Sequence, residues 1–378
     1  METSQRLSYK LSELEEALQR MITSDQQSND ADDDSMSAVS NELLVYDEDG
    51  DLTIRVGPSL SPFRVDSKTV SRSSLVFRRM LFGGFAESRP TDGSDWVVDL
   101  PDDGRDSMEI LFGIIHGAFE RVPTELSLWS LYDLLVHTEK YDATRLLRPW
   151  AKLWLHNQEV VSQTEEPELL CVAWELGDSA LFKQMLHKIT NECLIDNDGN
   201  VVYGRRKRIQ KSHNGNSYYR VRSPELVLNS LDHLMPPDIE EIISSNRQKI
   251  VNAELQPYVD LWNLCIMARC ESHSTYPEKG WKCDSMVLGS LIKSLFDAHV
   301  HIASPKAAVE GYRGSLADLR TRLDRARVRS MCGDECDEGI QTALEEGKEK
   351  AAELRADIMT LQDSHKEYME SQARKTGL

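Results

Sequence analysis

The chain has 378 residues, 40% of them hydrophobic and 28% charged, with a formal net charge of −19. Such proportions suit a globular chain with room for roughly two or three domains and argue against wholesale disorder. The acidic balance weighs against general nucleic-acid binding, because neutralising phosphates needs a basic surface.

The charge is uneven: the first 60 residues hold 14 Asp or Glu against 4 Lys or Arg. At the N-terminus no basic region precedes a long apolar run, so no secretory signal is expected. No stretch approaches the roughly 20 apolar residues of a membrane span. Seven cysteines, an odd number in a large chain, fit free thiols in a reducing intracellular compartment, cytoplasm or nucleus.

Leu7, Leu11, Leu14, Leu18 and Ile22 form one apolar stripe, which predicts an amphipathic helix over residues 1–23. An isolated helix of this length is marginal in water, so it must dock on this chain or on a second copy. Residues 24–42 follow as an acidic, disordered linker containing a run of three aspartates.

From Leu43 the texture becomes β-rich. LLVYDEDGDLTIRVG is two short β-prone runs around Asp49-Gly50, a hairpin or turn signal. A calcium loop fails in this register: with Gly50 at position six, Val45 and Val56 fall at positions one and twelve, and neither coordinates. Asp198-Gly199 fails likewise, with Leu194 and Arg205 there. Phe63 and Val65 alternate with Arg64 and Asp66 as in a half-buried strand. A polar knuckle leads into a helix that Ser73 or Ser74 can cap, with Val76, Phe77, Met80 and Leu81 on its apolar face and Arg78 and Arg79 for solvent. Gly83 and Gly84 end it. Trp96, Val98 and Leu100 predict another strand. Three helices follow, carried by Met108, Leu111, Phe112 and Ile115; by Leu128, Leu131, Tyr132, Leu135 and Val136; and by Leu146, Leu147, Trp150, Leu153 and Trp154.

That order, with FRVDSKTV, SSLVFRRML, GGFAES, MEILFGIIHG and LWSLYDLLVHTEKYDATRLL as they stand, resembles a BTB/POZ domain over residues 43–156. The resemblance implies an α+β fold, a short mixed sheet flanked by helices. Phe63, Val65, Val76, Phe77, Met80, Leu81, Leu111, Ile115, Leu131 and Leu135 would then be core. Such domains often carry His where Asp66 stands. The arrangement also resembles filamentous-fungal members of the superfamily, which append a helical C-terminal region. In BTB adaptors that recruit cullin-3 ubiquitin ligases, an apolar-x-Glu motif follows this helix, and Phe85-Ala86-Glu87 holds the matching position. BTB dimers often exchange an N-terminal helix, which implies a homodimer with Leu7, Leu11, Leu14, Leu18 and Ile22 in its interface.

Residues 157–310 read as helical, beginning with a pair around Gly177-Asp178 that resembles the helical hairpins following BTB domains in adaptor proteins. VLNSLDHL, IEEIISSNRQKIV, YVDLWNLCIMARC and SMVLGSLIKSLFDAHVHI continue the helices. A basic insert at about 196–222, flanked by Val201, Val202, Tyr203, Tyr218 and Tyr219, reads as a protruding hairpin or a disordered excursion. Within it Arg205, Arg206, Lys207 and Arg208 fit a nuclear-import signal or a solvated hairpin tip. Residues 311–378 are charge-rich with a broken apolar stripe, as in a helical hairpin or short coiled coil.

Cys332 and Cys336, four apart, could seed a metal site with His365. Cys265, Cys270, His273 and Cys283 form a second loose grouping. Ordinary thiols are the plainer reading of both, and no metal or cofactor is expected. No nucleophile elbow, P-loop or HExxH is present, and His116, His137 and His187 sit among apolar helices. The sequence therefore predicts a non-catalytic interaction scaffold with protein partners, either a cullin-3 adaptor or a nuclear transcriptional co-regulator dimerising through the BTB domain.

Overall fold

A computed structural model describes residues 42–161, 167–203, 208–211, 218–221, 226–228, 233–267, 277–300, 311–357 and 361–378. The amphipathic stripe from Leu7 to Ile22 lies outside them. The fold is mixed α+β, with a small mixed sheet and twelve helices among the described residues. No helix among them is long and apolar enough to cross a membrane.

Four short strands open it: β1 (Leu44–Val45), β2 (Leu52–Val56), β3 (Ser61–Val65) and β4 (Val97–Leu100), in the order β1-β3-β2-β4. Asp49-Gly50 makes a turn rather than a hairpin. The Gly50 N–H donates to the Asp47 carbonyl, but β1 pairs parallel with β3 while β2 pairs antiparallel with β3. The chain must cross the end of β3 to do this, and a Cβ on Gly50 would come within 2.8 Å of the Val65 carbonyl. The true hairpin is β2–β3, closed through Gly57 at φ +77°. β4 adds parallel to β2, Ile54 opposite Val98.

The polar knuckle after β3 is itself helical. Asp66 caps α1 (Ser67–Ser73) by accepting the Thr69 N–H at 2.7 Å, and Ser74 caps α2 (Leu75–Phe82) by accepting the Phe77 N–H at 3.0 Å. Caps of this kind contribute about 1 kcal/mol each. α1 carries one fully buried apolar residue, Val70, so apolar periodicity gave no signal for it. Gly83 ends α2, and Gly84 follows at φ +79°, where glycine is favoured.

Of the positions expected in the core, Phe63, Val65, Phe77, Leu81, Leu111, Ile115, Leu131 and Leu135 are buried, and half-buried Met80 lies against them. Val76 is a correction: it is 37% exposed. At about 100° per residue, Phe77 and Leu81 lie some 40° apart while Val76 stands about 100° from Phe77, outside the buried sector.

Helices α3 (Arg105–His116), α4 (Leu128–Lys140) and α5 (Ala151–Val161) follow. The first closes the core over the sheet. The other two share a second core with α6 (Pro167–Leu176) and α7 (Ser179–Glu192), so Leu135 and Trp154 belong to one cluster with Leu170 and Phe182. That core is continuous across residue 156. Asp178 caps α7, accepting from Ala180 and Leu181.

The insert and its flanks form β5 (Leu194–Ile195), β6 (Val201–Tyr203) and β9 (Leu226–Val227) in one small sheet, and a separate hairpin of β7 (Arg208–Lys211) with β8 (Tyr218–Val221). Val227, expected in a helix, is therefore a strand residue held opposite Val202.

A third core joins α8 (Ile239–Met267), α9 (Pro277–Asp297), α10 (Leu316–Leu323) and α11 (Asp334–Asp357). The sequence suggested two helices on either side of Pro257; α8 runs through it. In place of a terminal hairpin, α11 packs chiefly along α8 and α12 (Asp363–Thr376) on α6 and the turn at Thr144–Leu147. Tyr368 and Gln372 of α12 donate to the buried Glu175 carboxylate of α6 at 2.6 and 2.5 Å, and Thr144 donates at 3.1 Å. The Thr376 hydroxyl donates to the Leu176 carbonyl. A Cβ on Gly177 would lie 2.3 Å from the Ala373 nitrogen, so only glycine admits α12 this closely.

Candidate functional site

The candidate site is the outer face of α2 with the loop that follows it. Its base is rigid. The ring of Phe77 stacks on Tyr141 at 4.2 Å and 5° between planes, and the Ser74 hydroxyl donates to the Tyr141 carbonyl at 2.5 Å. Tyr141 donates in turn to the buried Asp103 carboxylate, which also receives Lys140 at 2.5 Å. Burial, then the Asp103 hydrogen bond, pushes the Tyr141 hydroxyl up.

With Phe77 and Leu81 turned inward, the opposite face of α2 presents Leu75 and Phe82, each 50% exposed. The double glycine lets the chain fold back over the helix end. Ser88 closes the loop: its hydroxyl accepts the Gly84 N–H at 3.0 Å and its N–H donates to the Phe85 carbonyl at 3.0 Å. The Trp96 indole N–H donates to the Glu87 carbonyl at 2.9 Å, and its ring meets Phe82 edge-on at 5.7 Å. Phe85 is left 62% exposed on this braced loop, while Glu87 is half-buried. Arg78 and Arg79 are exposed on α2, and Arg89 lies over the Trp96 ring.

Asp66 has its partners in space. Its own N–H donates to His116 Nε2 at 3.2 Å, and His116 Nδ1 lies 3.0 Å from the Phe112 carbonyl. An imidazole thus reaches the knuckle from α3. Hydrogen bonding from Thr69 holds the Asp66 carboxyl below its ordinary range, and burial pushes the His116 imidazole down. His137 is built alike: its Nε2 accepts the Gly104 N–H at 2.8 Å and its Nδ1 faces the Asp133 carbonyl at 2.6 Å. Both rings brace backbone. His187 lies beside Asn191 on α7.

Arg205, Arg206 and Lys207 lie outside the described residues, as do Cys270 and His273; Arg208 opens β7 opposite Val221. His365 does not join Cys332 and Cys336. It is buried edge-on against Trp174 at 5.2 Å, with Nε2 3.0 Å from the Pro237 carbonyl. Cys332 and Cys336 do not share a helix either, because Gly333 at φ +71° turns the chain before α11 begins. What sequence reasoning missed is that Cys283 of α9 meets both of them, all three sulfurs lying within 4.8 Å of one another. The signal was available only as three cysteines on two segments 49 residues apart.

A groove of about 610 Å³ between α8 and α11 has apolar walls that include Pro257, Leu264, Leu344 and Leu354, with Asp260 and Lys350 also lining it. Comparison with protein-family models, curated proteins and solved structures yields no match for the chain.

Proposed function

We propose that the chain is a non-catalytic protein-interaction scaffold of the BTB/POZ type, and that α2 with the Phe85–Glu87 loop is the surface it offers to cullin-3. The observation that carries this reading is a 62% exposed aromatic on a loop braced by Ser88 and Trp96. Phe85, Phe82 and Leu75 are large apolar side chains left exposed on α2 and its loop, the kind of surface that interfaces use. A braced loop costs little entropy to dock, since its conformation is already set. Phe85 fills a groove on the partner and Glu87 meets a basic rim, the pattern of a small hot spot.

The order of a β2–β3 hairpin, two capped helices, a parallel β4 and then α3 and α4 supports the family reading, with the helical region after it extending the same second core. The Leu7–Ile22 stripe supports a homodimer, and the odd number of cysteines an intracellular compartment. Purified cullin-3 N-terminal domain, titrated into the full chain, tests the reading: wild type binds, and Phe85→Ala with Glu87→Ala abolishes binding. Equal affinity of the two proteins, or no binding by either, overturns it.

A further inference from the structure

Cys332 and Cys336 stand four apart in the sequence and Cys283 stands 49 residues before Cys332. Their meeting follows from how the segment before α11 is tied to α9. Ser294 of α9 accepts the Arg327 N–H at 3.0 Å and donates to the Arg327 carbonyl at 3.0 Å. Ser290 lies in the same way against Arg329, accepting its N–H at 2.9 Å. Four residues of helix rise about 6 Å and two residues of strand about 6.6 Å, so the two repeats stay in step. Seven residues of helix from Ser290 back to Cys283 cover about 10.5 Å, and beyond Ser330 the chain bends at Met331 and Cys332. Residues 283, 290 and 294 share one helix face, and on it Cys332 meets Cys283, the sulfurs lying 3.1 Å apart.

The third thiol arrives by a turn. Gly333 adopts φ +71°, and the Asp337 carboxylate accepts the Ser330 N–H at 2.7 Å, locking residues 330–333 onto the first turn of α11. Cys336 lies in that turn. Cys283 is buried, Cys332 and Cys336 are half-buried, and no disulfide joins any of them.

We propose that Cys283, Cys332 and Cys336 bind a thiophilic divalent cation, zinc first, as a three-thiolate site that locks α9 to the start of α11. Three sulfurs select a soft cation over magnesium or calcium. Zinc–sulfur bonds of about 2.3 Å set tetrahedral sulfurs about 3.8 Å apart, and the observed cluster, from 3.1 Å to within 4.8 Å, brackets that spacing. A disulfide between Cys283 and Cys332 would give Cys336 no part, whereas a cation uses all three. Binding releases the three thiol protons to solvent, and the half-buried side leaves the fourth position to water.

The test uses the full chain, fully reduced and stripped of metal, titrated with cobalt(II) and then zinc. One equivalent of cobalt is expected to raise the thiolate-to-cobalt charge-transfer band and the intense visible bands of a tetrahedral site, and zinc to displace it. Cys336→Ser, at a half-buried position, and the double variant Cys332→Ser with Cys336→Ser lose the band while keeping the wild-type circular dichroism; Cys265→Ser keeps both. Absence of the band in the wild type, or its persistence in the double variant, overturns the proposal. So does peptide mapping that finds a Cys283–Cys332 disulfide with Cys336 alone alkylated in protein isolated without reductant.

Discussion

The ring of Pro257, in the middle of α8, fits against Gly347 of α11 so closely that a Cβ on that glycine would lie 2.1 Å from the proline Cγ. A proline inside a helix removes one hydrogen bond and ordinarily kinks or ends it. Here α8 continues to Met267, and the ring becomes part of the contact with α11. Gly347→Ala is therefore expected to destabilise the chain by about 1–3 kcal/mol through overpacking, measured by urea unfolding. A change below a few tenths of a kcal/mol would mean that the helices do not approach as described.

Phe77 and Val76 are adjacent and opposite in role. Phe77 is fully buried and stacked on Tyr141, so Phe77→Ala should cost about 3–5 kcal/mol. Val76 is 37% exposed, and Val76→Ala should stay within about 0.5 kcal/mol. Comparable losses at the two positions would restore the four-residue apolar face that the sequence alone suggests.

These contrasts mark what was legible in the sequence. Phe63 and Val65, the choice of Ser73 or Ser74 as cap, Gly83 and the break at Gly177-Asp178 are local signals, and each marked an element that formed, Ser74 being the cap. The fit of Pro257 in α8 involves a glycine 90 residues away, and β1 finds its partner across a turn rather than through it. α1 is polar except for Val70, so nothing periodic announced it. At the candidate surface, Phe85 and Glu87 were identified by position, but the bracing by Ser88 and Trp96 arises only once the chain folds back. Cys283 reaches Cys332 because Ser290 and Ser294 tie Arg329 and Arg327 to α9, a relation in space that no spacing along one segment encodes.

Glu175 offers a test by pH. It is buried on α6, and desolvation pushes its carboxyl above the ordinary 4.5 despite the donors Tyr368 and Thr144. A raised folded value means that the folded chain binds the proton more tightly. The contribution of this group is then fully present below 4.5 and is lost as pH rises through the folded value. The stability difference between wild type and Glu175→Gln, measured by denaturant titration, should shift in favour of the variant as pH rises above 4.5. A shift in favour of wild type would mean that the hydrogen bonds from α12 outweigh burial.

Phe85→Ala should separate stability from interaction. The side chain is 62% exposed, so unfolding free energy should change by no more than about 0.5 kcal/mol. A larger loss would make Phe85 part of the fold and remove it from the proposed surface.

The most direct measurement is calorimetric titration of purified cullin-3 N-terminal domain into the full chain, beside its Phe85→Ala variant. The proposed adaptor role predicts saturable binding by wild type and at least a tenfold weaker affinity for the variant, about 1.4 kcal/mol. Identical affinities, or no heat of binding from either protein, would contradict it.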